Sequence, residues 1–280
     1  MRVVVTGAGG QLGHDLVEAF DGHEVVAVDR ARLDVTDRDA VLQLLGAVRP
    51  DAVVHAAAWT EVDACESDAG RALQVNALGT RHVAEGARLV DARVVYLSTD
   101  YVFDGTASAA YTEWDTPNPI SVYGRSKLGG ERELDPGATI VRTSWLCGRH
   151  GSNIVKTVLR LDEEADELRF VADQHGCPTF TSDLATMIRR LTVARLPGVF
   201  HVTNQGPTTW FEFARDVLVA AGRDPDKVRP IAAADLTPPR PAPRPTNSVL
   251  DNAALRLQGV PLLADHHEPL ERLVKELLTA

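Results

Sequence analysis

The chain is short of the residues that staple small or secreted scaffolds. Its 280 residues hold three cysteines, Cys65, Cys147 and Cys177, an odd and unclustered set. Such a set builds neither a disulfide framework nor a zinc-ligand pattern. No run approaches the 18 or so apolar residues of a membrane span, so no membrane partner is expected. Nothing precedes the run Arg2-Val3-Val4-Val5 that reads as a signal peptide, and the expected location is the cytoplasm. No internal repeat or low-complexity tail is visible. Positive charge is also in deficit, with 29 Lys+Arg against 39 Asp+Glu and a net charge of −10. That balance argues against a nucleic-acid partner, which calls for a basic face, and leaves room for a local basic pocket. Lysine is the scarce cation: Lys127, Lys156, Lys227 and Lys275 are the four, and the rest are arginine. A lysine inside a chemical motif is therefore less easily an accident.

What is present is the texture of a soluble globular protein, 44 % hydrophobic and 24 % charged. The length suits one large domain or two small ones, with a core that needs no covalent staple. Short β-branched runs fall at 2–6, 24–28, 51–55, 93–98 and 138–142, with helical stretches at 11–20, 37–47, 66–90 and 122–134. This alternation predicts an α/β fold, a doubly wound parallel Rossmann-like sheet whose ligands sit beyond the C-terminal strand ends. After residue 150 the rhythm changes. Helices are expected over 152–165, over 182–194 with Thr181 or Ser182 as cap, and at 253–257 and 268–279. A strand is expected at 168–171. Five prolines between 238 and 245 exclude a helix there, and the segment is expected to run over the surface. Residues 1–170 read as a dinucleotide-binding domain. Residues 171–280 read as a mainly substrate-binding part interleaved with it.

Three motifs carry chemistry. The first is Thr6-Gly7-Ala8-Gly9-Gly10-Gln11-Leu12-Gly13, between a strand run and an amphipathic helix. Glycines at 7, 10 and 13 permit a tight turn and close approach of backbone to a pyrophosphate, which a helix N-terminus then holds. A second strand ends at Asp29, where a carboxylate can accept ribose hydroxyls. Arg30 beside it suits a 2′-phosphate, so the pair leaves NADH and NADPH open. Asp34 is placed to reach the adenine. The second motif is Tyr123-Gly124-Arg125-Ser126-Lys127, whose Tyr and Lys share a helix face. A nearby ammonium lowers a phenol's pKa toward useful acid–base range. The third is Ser98-Thr99-Asp100 at the end of the fourth strand, where hydroxyls can bond a carbonyl undergoing reduction.

In this order the motifs resemble the extended short-chain dehydrogenase/reductase family, and within it the dTDP-4-dehydrorhamnose reductase branch. The resemblance rests also on His55-Ala56-Ala57-Ala58-Trp59-Thr60, Ser98 through Gly105, Arg142-Thr143-Ser144-Trp145, Asp173-Gln174 with Pro178-Thr179, and Arg244-Pro245 with Asn247-Ser248. It implies hydride transfer from NADPH or NADH to the C4 ketone of a nucleotide sugar. Tyr123 would donate the proton, Lys127 would lower the Tyr123 pKa and hold the nicotinamide ribose, and Thr99 would bond the sugar oxygen. Cofactor contacts would fall to Gly7, Gly10, Gln11, Leu12, Asp29, Asp34, Val35, Ala58, Trp59, Thr60 and Leu97. Substrate contacts would fall to Thr99, Asp100, Tyr123 and Trp145, with Arg244 a candidate for the diphosphate. Trp59 and Pro239-Arg240-Pro241 depart from the pattern of many relatives. No carboxylate cluster demands a divalent metal, and oligomeric state, monomer or homodimer, is not readable. Two other readings remain: a related nucleotide-sugar epimerase, and a non-catalytic regulatory binding subunit. A dehydratase is disfavoured, because Tyr101 follows Thr99-Asp100 where that activity expects a glutamate.

Overall fold

Six parallel strands form the centre of the computed structural model, which describes residues 1–279. In chain order the first half runs β1 (Arg2–Thr6), α1 (Gln11–Ala19), β2 (Glu24–Val28), α2 (Arg38–Val48), β3 (Ala52–His55), α3 (Val62–Ser67), α4 (Ala69–Leu73), α5 (Gly79–Leu89), β4 (Arg93–Thr99), α6 (Val122–Glu131) and β5 (Thr139–Thr143). The second half adds β6 (Leu146–Cys147), α7 (Ile154–Glu164), β7 (Leu168–Val171), β8 (His175–Gly176), β9 (Thr179–Phe180), α8 (Thr181–Ala194), β10 (Gly198–His201), β11 (Thr208–Thr209), α9 (Trp210–Ala220), β12 (Val228–Ile231), α10 (Ala253–Leu257) and α11 (His267–Thr279). The strand order β10-β5-β4-β3-β1-β2 reverses direction at β1, so a crevice opens beyond the ends of β1 and β3.

Side chains alternate across each strand, and this builds two layers from one sheet. Val3, Val5 and Val54 pack with Leu12 and Leu16 of α1 and Leu184, Ile188 and Leu191 of α8. Val4 and Val53 face the other way, onto Val41 and Leu45 of α2 and Val83 of α5. A separate core joins α7, α9 and α11 through Val155, Val158, Phe213, Val217, Leu218, Leu270 and Val274. No helix among the described residues is long and apolar enough to cross a membrane.

Three sequence expectations change. The helical stretch 66–90 is not one helix but α3, α4, a π-helical turn at Gln74–Leu78 and α5. Asp68 breaks it by leaving helical geometry, at φ −141°, and capping α4 through the Arg71 N–H. Helix α8 begins at Thr181 itself; Phe180 precedes it with no side-chain cap, and the Thr181 hydroxyl donates to the Cys147 carbonyl instead. The sixth strand, β10, lies at 198–201, where no strand was anticipated; β10 and α8 thus complete the sheet body from beyond residue 170.

Candidate active site

The glycine turn is fixed by sterics. Gly7 adopts φ +70°, and a Cβ there would lie 2.7 Å from the Ala57 nitrogen. A Cβ on Gly13 would lie 2.2 Å from the Gly7 carbonyl oxygen. Only hydrogen fits, so α1 sits directly against the turn. The Gly10 N–H donates to the Gly7 carbonyl at 2.9 Å, and α1 starts with no side-chain cap. Its first N–H groups remain for an anion. Beside the turn a cavity of about 430 Å³ is lined by Gly7, Gly10, Asp29, Arg30, Asp34, Val35, Ala58 and Trp59. The Arg71 guanidinium lies over the Trp59 ring, 4.4 Å from its centroid. Thr36 donates to Asp34 from both backbone and hydroxyl, which holds that carboxyl below its ordinary range. Arg30 stays exposed, its Nε 3.9 Å from Asp34.

A second cavity of about 430 Å³ continues from the same glycines. It is lined by Gln11, Leu12, Thr60, Leu97, Thr99, Asp100, Tyr123, Lys127 and Trp145. Thr99 and Asp100 reach it from the end of β4. Tyr123 and Lys127 reach it from α6, whose start is capped by Ser121 accepting from the Gly124 N–H at 3.1 Å. A Cβ on Gly124 would lie 2.1 Å from the Tyr101 carbonyl, so glycine lets α6 close on the loop after β4. Below them Glu131 of α6 takes two hydrogen bonds from Arg142 of β5, at 2.9 and 2.7 Å, and one from Ser98. That buried pair clamps α6 to the sheet. A depression of about 550 Å³ at the opposite strand ends, among Arg49, Asp51, Arg93 and Arg195, contains none of these groups.

Burial dominates the electrostatics. Desolvation lowers Lys127 to about 7, with Glu131 pulling the other way, and its ammonium rests 4.1 Å above the Tyr96 ring. Desolvation raises Asp100 to about 7, against the Ser248 and Thr99 hydroxyls. The Thr99 hydroxyl donates to Asp100 Oδ1 at 3.0 Å, and Oδ2 is buried with no partner. Tyr123 is pushed above its ordinary value by burial, opposed by Thr99 and reinforced by Asp100 and Tyr101. Burial sets that direction, and the Lys127 ammonium lies over the Tyr96 ring.

In the wall of the second cavity, Trp145 holds a left-handed backbone at φ +47°, which is uncommon for a bulky residue. Its indole stacks on Trp210 at the start of α9, centroids 3.5 Å apart and planes 11° from parallel. Gly176 lies beneath: a Cβ there would be 2.5 Å from the Trp145 ring. Arg244 is elsewhere. Its guanidinium makes a bidentate pair with Asp63, at 2.5 and 2.7 Å, and also donates to the Ala242 carbonyl. It lies next to Tyr101, outside the lining of both cavities.

With this geometry in view, the comparisons with known proteins are specific. The family described as RmlD substrate binding domain matches residues 1–279. The chain belongs to that family. A dTDP-4-dehydrorhamnose reductase of Streptomyces griseus is 42 % identical, covering 92 % of this chain and 88 % of its own. A dTDP-4-keto-6-deoxy-D-glucose reductase of Streptomyces niveus is also 42 % identical, over 92 % and 91 % of the two chains. The crystal structure of a dTDP-4-dehydrorhamnose reductase from Bacillus anthracis in complex with NADP superposes with a TM-score of 0.93. It is 40 % identical and the match covers 98 % of this chain and 99 % of that one.

Within this RmlD-family chain, the two cavities gather every expected site residue except Arg244. Sequence reasoning missed two. Trp210 lines the second cavity, and nothing around Thr208-Thr209 signals its stacking partner. Asn76, in the π-helical turn, accepts from the Trp59 N–H at 2.8 Å and donates to the Trp59 carbonyl and the Ser126 hydroxyl. It ties the loop after β3 to α6, and π turns of this kind recur at functional sites.

Proposed function

We propose that this chain is a cytoplasmic NAD(P)H-dependent reductase. It reduces the C4 ketone of dTDP-4-dehydro-L-rhamnose to dTDP-L-rhamnose, the last step of dTDP-rhamnose biosynthesis. The observation that carries the reading is the convergence of Thr99, Tyr123 and Lys127 on a cavity continuous with an uncapped helix start. Those residues fit a dinucleotide: a Cβ at Gly7 or Gly13 would collide with backbone and push α1 from the turn, and Asp29 and Arg30 line the adjoining cavity. When bound, the reduced nicotinamide supplies the hydride.

The chain's own groups do the rest. The Thr99 hydroxyl and Tyr123 Oη bond the ketone oxygen and orient it. As negative charge develops there, Tyr123 transfers its phenolic proton to that oxygen. Lys127 holds the ribose and stabilises the phenolate that remains. Asp100 accepts hydrogen bonds from sugar hydroxyls through its unpartnered oxygen. Trp145 and Trp210 offer a flat apolar wall to a sugar face. Beyond residue 170, the segments outside the sheet body serve mainly the substrate. The partner is a small nucleotide sugar and not a nucleic acid.

The test offers dTDP-4-dehydro-L-rhamnose with NADPH and then NADH, following loss of reduced-nicotinamide absorbance. One cofactor oxidised per ketosugar consumed is expected. Conversion without net cofactor use would replace reduction by epimerisation, and cofactor binding without turnover would favour a binding subunit. Preference for dTDP-4-keto-6-deoxy-D-glucose in the same assay would move the substrate toward that named for the S. niveus relative.

A further inference from the structure

Away from both cavities, α9 and the start of α11 bring three donor atoms together. His266 is buried, and its Nδ1 lies 3.2 Å from the Gln205 carbonyl oxygen. A carbonyl only accepts, so Nδ1 carries the proton and Nε2 of the neutral ring keeps a lone pair. That Nε2 is buried, makes no well-aligned hydrogen bond, and lies 3.5 Å from Asp216 Oδ2. His267 repeats the arrangement. Its Nδ1 lies 2.6 Å from Asp265 Oδ1, and its Nε2 lies 3.7 Å from the same Asp216 oxygen. The two rings stack with centroids 4.1 Å apart, and all three donor atoms fall within 4.8 Å of one another.

These separations exceed hydrogen bonds and suit atoms sharing one ion. Ligands about 2.1 Å from a tetrahedral centre stand about 3.4 Å apart. A lone pair facing a carboxylate oxygen needs a cation between them. Each imidazole is also braced through its other nitrogen, by a carbonyl or a carboxylate, as metal-ligating histidines are. His267 is 58 % exposed on its side chain, which leaves an entry path. We propose that Asp216, His266 and His267 form a binding site for a divalent transition-metal ion of the zinc class, with an open position for water. Two imidazoles and one carboxylate favour Zn²⁺, Co²⁺ or Ni²⁺ over Mg²⁺ and Ca²⁺, which prefer all-oxygen shells. The ion joins the start of α11 to α9, the helix that begins at Trp210 in the second cavity. The site is independent of the reductase reading. The competing occupant is a proton: burial lowers His266, but Asp216, the Gln205 carbonyl and Asp265 outweigh it and hold the ring above its ordinary value.

The experiment strips the full chain with a chelator and titrates it with Zn²⁺ by calorimetry and with Co²⁺ by visible absorption. One ion per chain is expected, with the intense bands of four-coordinate Co²⁺ that Zn²⁺ then bleaches. His267→Ala and Asp216→Asn should each weaken Zn²⁺ binding by at least about 100-fold, and Asp265→Asn by about 10-fold or more. The metal-free His267→Ala chain should melt as the parent does. His14→Gln, in the separate stacked pair His14–His150, should leave binding intact. No stoichiometric binding at micromolar ion, or binding that neither His267→Ala nor Asp216→Asn weakens, would overturn the proposal and leave a proton in the gap.

Discussion

Asp100 and Lys127 are driven toward neutrality from opposite sides, both to about 7, because neither carries enough partners to offset its desolvation. For Asp100 the folded value is raised, so its contribution to stability is fully present below the unfolded value of 3.8. It is lost as pH rises through about 7. Asp100→Asn removes the buried charge without changing shape. Thermal melts should place it above the parent at about pH 8, with the gap closing toward about pH 4. A constant gap would assign the effect to packing. Tyr123→Phe should lower kcat by roughly 10²–10⁴-fold with unchanged NADPH affinity, read by turnover and by cofactor titration. Retained turnover would remove Tyr123 from the chemistry. That Tyr123, Lys127 and Thr99 line one cavity was legible because it depends on local spacing: four positions on one helix turn, and one strand end. The ion pair of Arg244 was not legible, because its partner, Asp63, lies 181 positions away, and a chain of residues does not display its long-range ion pairs. Trp210 was invisible for the same reason.

The element proposed to hold the cofactor is the β1–α1 unit, and its packing rests on an atom that is absent. Alanine at position 13 would bring a Cβ to 2.2 Å from the Gly7 carbonyl and 2.7 Å from the Ala8 backbone. The helix would have to lift from the turn. Gly13→Ala should weaken NADPH binding at least about tenfold and destabilise the fold by about 1–3 kcal/mol. Calorimetric titration and denaturant melts measure the two effects, and an unchanged affinity would show that the phosphates do not depend on this contact. The glycine spacing announced this element plainly, as the β-branched runs announced β1 to β5. The stretch 66–90 misled because its composition is helical throughout. Tertiary bonds from Asn76 to Trp59 and Ser126 reshape one turn of it, and they are not encoded in local propensity. Strand β10 was missed because Gly198-Val199-Phe200-His201 is too short to alternate; pairing with β5 makes it a strand.

At the scale of the molecule, the division proposed near residue 170 does not separate two cores. Leu184, Ile188, Leu191 and Phe200 are fully buried in the core that Val3, Val5 and Val54 share. Removing residues 171–280 would expose that layer and the edge of β5. A fragment of residues 1–170 should show no cooperative unfolding transition, whereas the whole chain should show one; a sharp transition in the fragment would establish an autonomous first domain. The whole chain also binds anionic diphosphates in the proposed reaction despite its charge of −10. Oriented N–H groups at α1 and a few placed side chains must supply what net charge does not. The stacked Trp145 and Trp210 carry a last consequence. Of four tryptophans, Trp59 faces the first cavity, this pair faces the second, and Trp114 stands in solvent. Two indoles in contact couple their electronic transitions, so the pair has a circular-dichroism signature that neither ring has alone. Binding of the proposed sugar against that wall would therefore register in the protein's own spectrum, separately from binding in the first cavity, which would be read by Trp59.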